Sequence, residues 1–283
     1  MRLNPFNTSN IKVRSSGGGG MGKAGGLGCG TIILAAIGYF VFGLNPMQTI
    51  GMVEGVQGGM QQAGPASTDE QAICTRSEIA REACNGLQSL NQTWSQAFRQ
   101  QGISGFQEPT LDLFTGGRVN TDGCGSATSA SGPFYCPADQ TIYIDTNFYD
   151  QLAQMSGTRG DFARLYVLAH EYGHHIQTIT GVAQQIRSAQ AQDRRRANQL
   201  QVLMELQADC YAGAWAGYNR SSIERGDLEE GMQAAASIGD DRLTGGRVPA
   251  EQFTHGTSQQ RMQALRLGFD RGDGACDDIT TIR

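Results

Sequence analysis

Histidine is scarce in this chain, with four in 283 residues, so a site built on imidazoles has few candidates. The seven cysteines never stand at Cys-x-x-Cys spacing, which argues against thiolate zinc ligands. No internal repeat is visible, which argues against a repeat architecture. No acidic residue precedes Glu54, and Arg2, Lys12, Arg14 and Lys23 are the only charges before it. With those four set aside, eighteen Lys and Arg face twenty-seven Asp and Glu, a net of about −9. An acidic domain is a poor nucleic-acid binder, and Arg194-Arg195-Arg196 reads as a solvated helix face. No nucleic-acid partner is expected.

Charge is also missing from Leu27 to Pro46, where Thr31 to Leu44 is nearly all apolar and, with its flanking glycines, just long enough to cross a bilayer. The sequence therefore predicts a transmembrane helix over 27–46. A basic flexible tail, residues 1–26, would precede it, with Ser15 to Gly20 as linker material. A linker over 47–68 and a folded domain over 69–283 would follow. The basic flank lies on the amino side, so the positive-inside rule puts the tail in the cytoplasm and the domain outside. A cleaved signal peptide would need a small-residue site that Met47 to Gly51 does not offer. A lipoprotein cysteine would follow the apolar run, whereas Cys29 precedes it; a buried core helix is the remaining alternative. Beyond the span, Cys74, Cys84, Cys124, Cys136, Cys210 and Cys276 form an even set that suits an oxidising compartment. Fifteen pairings are possible; the expected ones are Cys124 with Cys136, Cys210 with Cys276 and Cys74 with Cys84. The last needs a chain break, because ten residues of continuous helix would separate the two by about 15 Å.

The densest chemistry is His170-Glu171-Tyr172-Gly173-His174-His175. Around it Phe162, Leu165, Tyr166, Ala169, Tyr172, Ile176 and Ile179 recur at helical spacing, and Gly181 is placed to end the helix. On such a helix His170 and His174 share one face a turn apart, where two imidazoles can grip one metal ion. Glu171 then flanks the ion without binding it, as a base toward water requires. With so few histidines, a chance match to this spacing is on the order of one per cent. Gly173 costs about 1 kcal/mol against alanine in mid-helix and leaves room for another backbone or a substrate. Glu205 supplies a third ligand, and Asp209, one turn on, can accept the ring N–H of a liganding histidine. Both lie in Gln185 to Asn219, a long amphipathic pattern with Leu200, Leu203, Leu206, Ala208, Tyr211 and Trp215 on its apolar side.

His170-Glu171-x-x-His174 followed by Glu205-x-x-Ala208-Asp209 resembles the gluzincin arrangement. The blocks Gly132 to Asp139, Ile142 to Asp145, Glu205 to Gly213, Gly239 to Arg242 and Thr254 to Arg261 resemble the bacterial putative neutral zinc metallopeptidase family, over most of the chain from about Trp94 to Cys276. The resemblance implies a zincin-like domain of α+β class, mostly helical, with a small hairpin or sheet. It implies one zinc ion on His170, His174 and Glu205, Glu171 as general base, Asp209 behind a ligand, and a peptide or protein substrate. It also suggests His255 as a donor to the oxyanion, a structural histidine being the alternative. With the predicted span, the location is the bacterial inner membrane, with the catalytic domain periplasmic. Two other classes stay open: an envelope binding or assembly factor that keeps zinc structurally, and a zinc amidase acting on cell-wall peptides.

The remaining pattern gives the frame. A helix is expected from about Ser89, with Leu90, Trp94, Ala97 and Phe98 on one side, ending before Gly102. Thr115 to Gly132 reads as loop with short strands, and Phe134 to Asp145 as a hairpin turning at Pro137-Ala138-Asp139. Ile142 to Asp145 could pair with an extended substrate or be a plain core strand. Asp227 to Leu243 and Thr257 to Phe269 complete the helices. His175 is one residue off the ligand face and is expected to cap or pack; Tyr172 and Tyr211 are expected in the core.

Overall fold

The computed structural model describes residues 1–16 and 67–281. Strand β1 (Val13–Arg14) is followed by helices α1 (Glu70–Thr75) and α2 (Glu78–Gln100). Next come strands β2 (Thr110–Phe114), β3 (Arg118–Asn120), β4 (Ser126–Thr128), β5 (Phe134–Cys136) and β6 (Thr141–Asp145). The rest is helical: α3 (Phe148–Ser156), α4 (Asp161–Ile179), α5 (Val182–Gln192), α6 (Ala197–Tyr218), α7 (Asp227–Ser237), α8 (Asp240–Leu243) and α9 (Ser258–Arg271). The class is α+β, mostly helical, with a small sheet, as expected.

The main sheet runs β1-β2-β6-β5, with β2 parallel to both β1 and β6, and β5 antiparallel at one edge. The β5–β6 hairpin turns at the expected residues. Asp139 accepts from the Thr141 amide with one oxygen and from the Tyr143 hydroxyl with the other, and Gln140 takes φ 52°. All five residues of β6 are buried, between β2 and β5. Of the two readings of Ile142 to Asp145, the core strand is the one realised.

Helix α6 is the axis of the domain. Met204 to Ala216 is buried without interruption, Glu205, Gln207 and Asp209 included, so this stretch is enclosed on all sides rather than half-exposed as an amphipathic helix would be. The predicted window Gln185 to Asn219 is also two helices, not one. Asp193 breaks it by taking extended backbone and accepting the Arg195 amide, which starts a 3₁₀ turn over Arg194–Arg196. Asp227 to Leu243 likewise divides at Ile238-Gly239, where Gly239 takes extended backbone and packs so closely on Ser258 that an extra carbon would meet its amide nitrogen at 2.3 Å. Helix α2 begins three turns before the predicted start, where Ser77 caps it through the Ala80 amide. Its early buried positions are Ala80, Ala83, Cys84, Gly86, Leu87 and Gln88, mostly small or polar, with Leu87 the one large apolar side chain among them. The turn at Arg76-Ser77 supplies the break that Cys74–Cys84 needs. That bond forms, as do Cys124–Cys136 and Cys210–Cys276.

The flexible tail is corrected in its first part. Residues 1–16 belong to the fold: Met1, Ile11 and Val13 enter the core, and β1 pairs with β2. Their charges, read as a tail's, meet acids of the domain, Arg14 with Asp112 and Asp122, Arg2 with Glu224. Ser15 and Ser67 exchange two backbone hydrogen bonds of 2.8 Å. A single membrane crossing between them would therefore put two hydrogen-bonded residues on opposite sides. The predicted span over 27–46, the linker up to residue 66 and Cys29 lie outside the described residues. Among the described residues no helix is long and apolar enough to cross a membrane.

Candidate metal centre

Helix α4 ends at Ile179, capped by Thr180, with Gly181 in left-handed backbone beyond it, as the sequence predicts. It sets the His170 and His174 rings 4.8 Å apart and nearly perpendicular. Helix α6 crosses against it and presents Glu205, whose Oε2 lies 3.2 Å from His170 Nε2 and 3.6 Å from His174 Nε2. The crossing is close because of Gly173: a Cβ there would stand 2.9 Å from both Cα and O of Ala208. Of the two uses expected for this glycine, room for another backbone is the one realised.

The trio suits zinc. The three donor atoms lie within 4.8 Å of one another. Ligands bound tetrahedrally at about 2.0–2.1 Å stand about 3.3 Å apart, close to the two separations above. Each Nδ1 is engaged elsewhere, so each Nε2 is the nitrogen available to a metal. His170 Nδ1 meets Asp209 Oδ1 at 2.8 Å, the role expected of Asp209. His174 Nδ1 meets Gln177 Oε1 at 2.8 Å.

Asp209 is fully buried and is itself held in place. Tyr166 donates its hydroxyl to Oδ1 at 2.6 Å, and Arg261 bonds both oxygens at 2.9 Å. Arg261, 1 % exposed on α9, is a residue that the sequence reasoning missed. Two signals could have found it: it stands one turn before the buried Leu265, and a buried aspartate requires a counter-charge.

In the metal-free protein these charges decide protonation. Burial works against charge on His170, but Asp209 and Glu205 outweigh it and push its pKa up to about 10. Burial also opposes charge on His174, where Glu205 prevails and raises it. Glu205 lies well below the usual carboxylate range despite burial, because of His174 and His170. Asp209 is likewise lowered against burial by Arg261 and His170. Glu171 moves the other way: burial first, and then the neighbouring Glu205, raise its carboxyl over the opposing histidines. It is 7 % exposed, and none of the described residues donates a hydrogen bond to it. A divalent ion would compete with protons for the same Nε2 atoms.

The other histidines take distinct places. His255 has no hydrogen bond or ion pair to the trio, though its charge is felt at Glu205. Its Nδ1 lies 3.1 Å from Asp240 Oδ1, and Asp240 Oδ2 accepts the backbone amides of Thr254, His255 and Gly256. His175 packs, as expected: it bonds the Gln107 carbonyl at 2.7 Å and the Tyr135 hydroxyl at 3.0 Å. Tyr172 and Tyr211 are core residues, bonded to Asn91 and Asp277.

Comparison with known proteins agrees with this centre. The model of the family described as "Putative neutral zinc metallopeptidase" matches residues 6–279. The chain belongs to this family. The match takes in β1 as well as the motif helices, consistent with residues 1–16 being part of the fold. Among the relatives, the uncharacterized protein YpfJ of Escherichia coli is 41 % identical over 279 residues, covering 95 % of this chain and 94 % of the relative. An uncharacterized protein of Mycobacterium tuberculosis is 41 % identical over 195 residues, 63 % of this chain and 64 % of the relative. No solved structure matches the chain. The family implies zinc and a peptide or protein substrate.

Proposed function

We propose that the protein is a zinc-dependent endopeptidase whose ion is held by His170, His174 and Glu205, with Glu171 as general base. The observation that carries this reading is the convergence of two Nε2 atoms and one carboxylate oxygen beside a buried carboxylate to which no described residue donates a hydrogen bond. A structural zinc site has four protein ligands and no use for such a carboxylate.

Bound zinc would polarise a scissile carbonyl and lower the pKa of a water from near 16 towards about 7. Glu171, buried beside the three ligands, would be the base that takes a proton from a water there and hands it to the leaving amine. Asp209, fixed by Arg261 and Tyr166, keeps His170 in the tautomer that offers Nε2. His255 Nδ1 lies against Asp240 Oδ1, which leaves its Nε2 as the ring nitrogen proposed to face the oxyanion. The antiparallel edge strand β5 neighbours α4 and supports a zincin-like reading in which an extended peptide pairs along that edge.

Three disulfides support an oxidising compartment for the domain. Since β1 pairs with β2, residues 1–16 share that compartment with the catalytic groups. Peptide-library cleavage by the purified protein tests the function. Turnover should vanish with a chelator and return with zinc, whereas cleavage that survives metal removal contradicts the proposal.

A further inference from the structure

Gln177 stands three residues beyond His174 on α4 and is fully buried. Its amide nitrogen donates to the Met204 carbonyl at 2.8 Å and to Gln207 Oε1 at 3.0 Å. Gln207, also fully buried, donates from Nε2 to the Cys276 carbonyl at 3.2 Å and to Thr280 Oγ1 at 2.9 Å. Backbone carbonyls only accept, so Met204 and Cys276 fix which end of each amide carries nitrogen. Gln177 Oε1 must then face His174 Nδ1, which must be a protonated nitrogen, so Nε2 is the ring atom left for a metal. Cys276 is in turn tied to α6 by its bond to Cys210.

We infer that Gln177 and Gln207 are positioning residues that set the tautomer and ring orientation of His174 and anchor it to the C-terminal segment at Cys276. This rests on the metal-site reading above. The two ligand histidines are thus oriented by different chemistry. His170 leans on the charged Asp209–Arg261 pair, and His174 on two neutral amides that add no charge beside the ion. Neither glutamine touches the reacting atoms; both act through His174.

The test is zinc affinity of the full-length chain, measured by chelator competition, for wild type, Gln177→Leu, Gln177→Glu, Gln207→Leu and the Gln177→Leu/Gln207→Leu pair. Melting of each zinc-free form is recorded beside it. Gln177→Leu is expected to weaken zinc by about 10- to 100-fold, and Gln207→Leu by less. The double variant should be no weaker than Gln177→Leu alone, because Gln207 works only through Gln177. Gln177→Glu keeps an acceptor for the Nδ1–H and should recover most of the affinity lost in Gln177→Leu. A general packing defect would lower melting in all variants, Gln177→Glu included, without that recovery. Wild-type affinity in Gln177→Leu, or strictly additive losses, would overturn the inference while leaving the metal site standing. A wild-type chain that takes up no zinc would overturn both.

Discussion

Replacing Gly173 by alanine probes whether the centre depends on the close crossing of α4 and α6. The added carbon would stand 2.9 Å from Cα and O of Ala208 and 3.2 Å from its Cβ. Carbon atoms rest about 3.5–4.0 Å apart, so the helices must part by about 0.6 Å at that point. His170 and His174 ride on α4 and Glu205 on α6, so parting the helices opens the trio. A metal site tolerates errors of about 0.2 Å in ligand distance. Overpacking costs about 1–3 kcal/mol, and removing a mid-helix glycine returns about 1 kcal/mol. The zinc-free fold should therefore lose no more than about 2 kcal/mol, or about 8 °C in melting temperature for a domain of this size. Zinc affinity should fall by at least about tenfold, out of proportion to that loss, because the displacement is about three times the tolerance. Calorimetry of the zinc-free forms and chelator competition read the two quantities separately. If Gly173→Ala binds zinc as tightly as wild type, the crossing does not set the ligand spacing and the reasoning fails.

Asp209→Asn leaves Arg261 buried without its counter-charge, which should cost about 3–5 kcal/mol in urea unfolding. An unchanged unfolding midpoint would show that Arg261 finds another partner. His175 gives a pH dependence of defined sign. Burial lowers its pKa from 6.5 to about 4, with the Gln107 carbonyl opposing, so the unfolded chain binds the proton first as pH falls. The stabilisation is complete above about pH 6.5 and is lost on descent to about pH 4, roughly 3 kcal/mol in all. Urea titrations of wild type and His175→Gln across this window should show the steeper acid loss in wild type. Equal slopes would remove His175 from the account.

The candidate trio was legible because its signal is local. Two histidines and a glutamate at fixed spacing on an apolar run, followed by a Glu and Asp one turn apart, specify their own helices and faces. The disulfides were legible for a similar reason, since the chain break that Cys74–Cys84 requires could be stated before it was seen. What escaped the sequence depends on distant partners. Arg261 reads as an ordinary basic residue until Asp209, 52 positions away, is placed against it. The burial of Met1, Ile11 and Val13 left no periodic trace, because the apolar residues of this stretch, Met1, Leu3, Phe6, Ile11 and Val13, keep neither a sustained helical spacing nor a sustained alternation. The breaks at Asp193 and Gly239 follow from a local cap and a close backbone contact, which apolar periodicity does not report.

The central claim is that a zinc-bound water is activated by Glu171. Glu171→Gln keeps the shape of the side chain and all three ligands while removing the base. The decisive measurement is peptide hydrolysis by wild type and Glu171→Gln at equal, independently measured zinc content. The account predicts that both hold one zinc and only the wild type cleaves. Wild-type turnover in a zinc-loaded Glu171→Gln would contradict it.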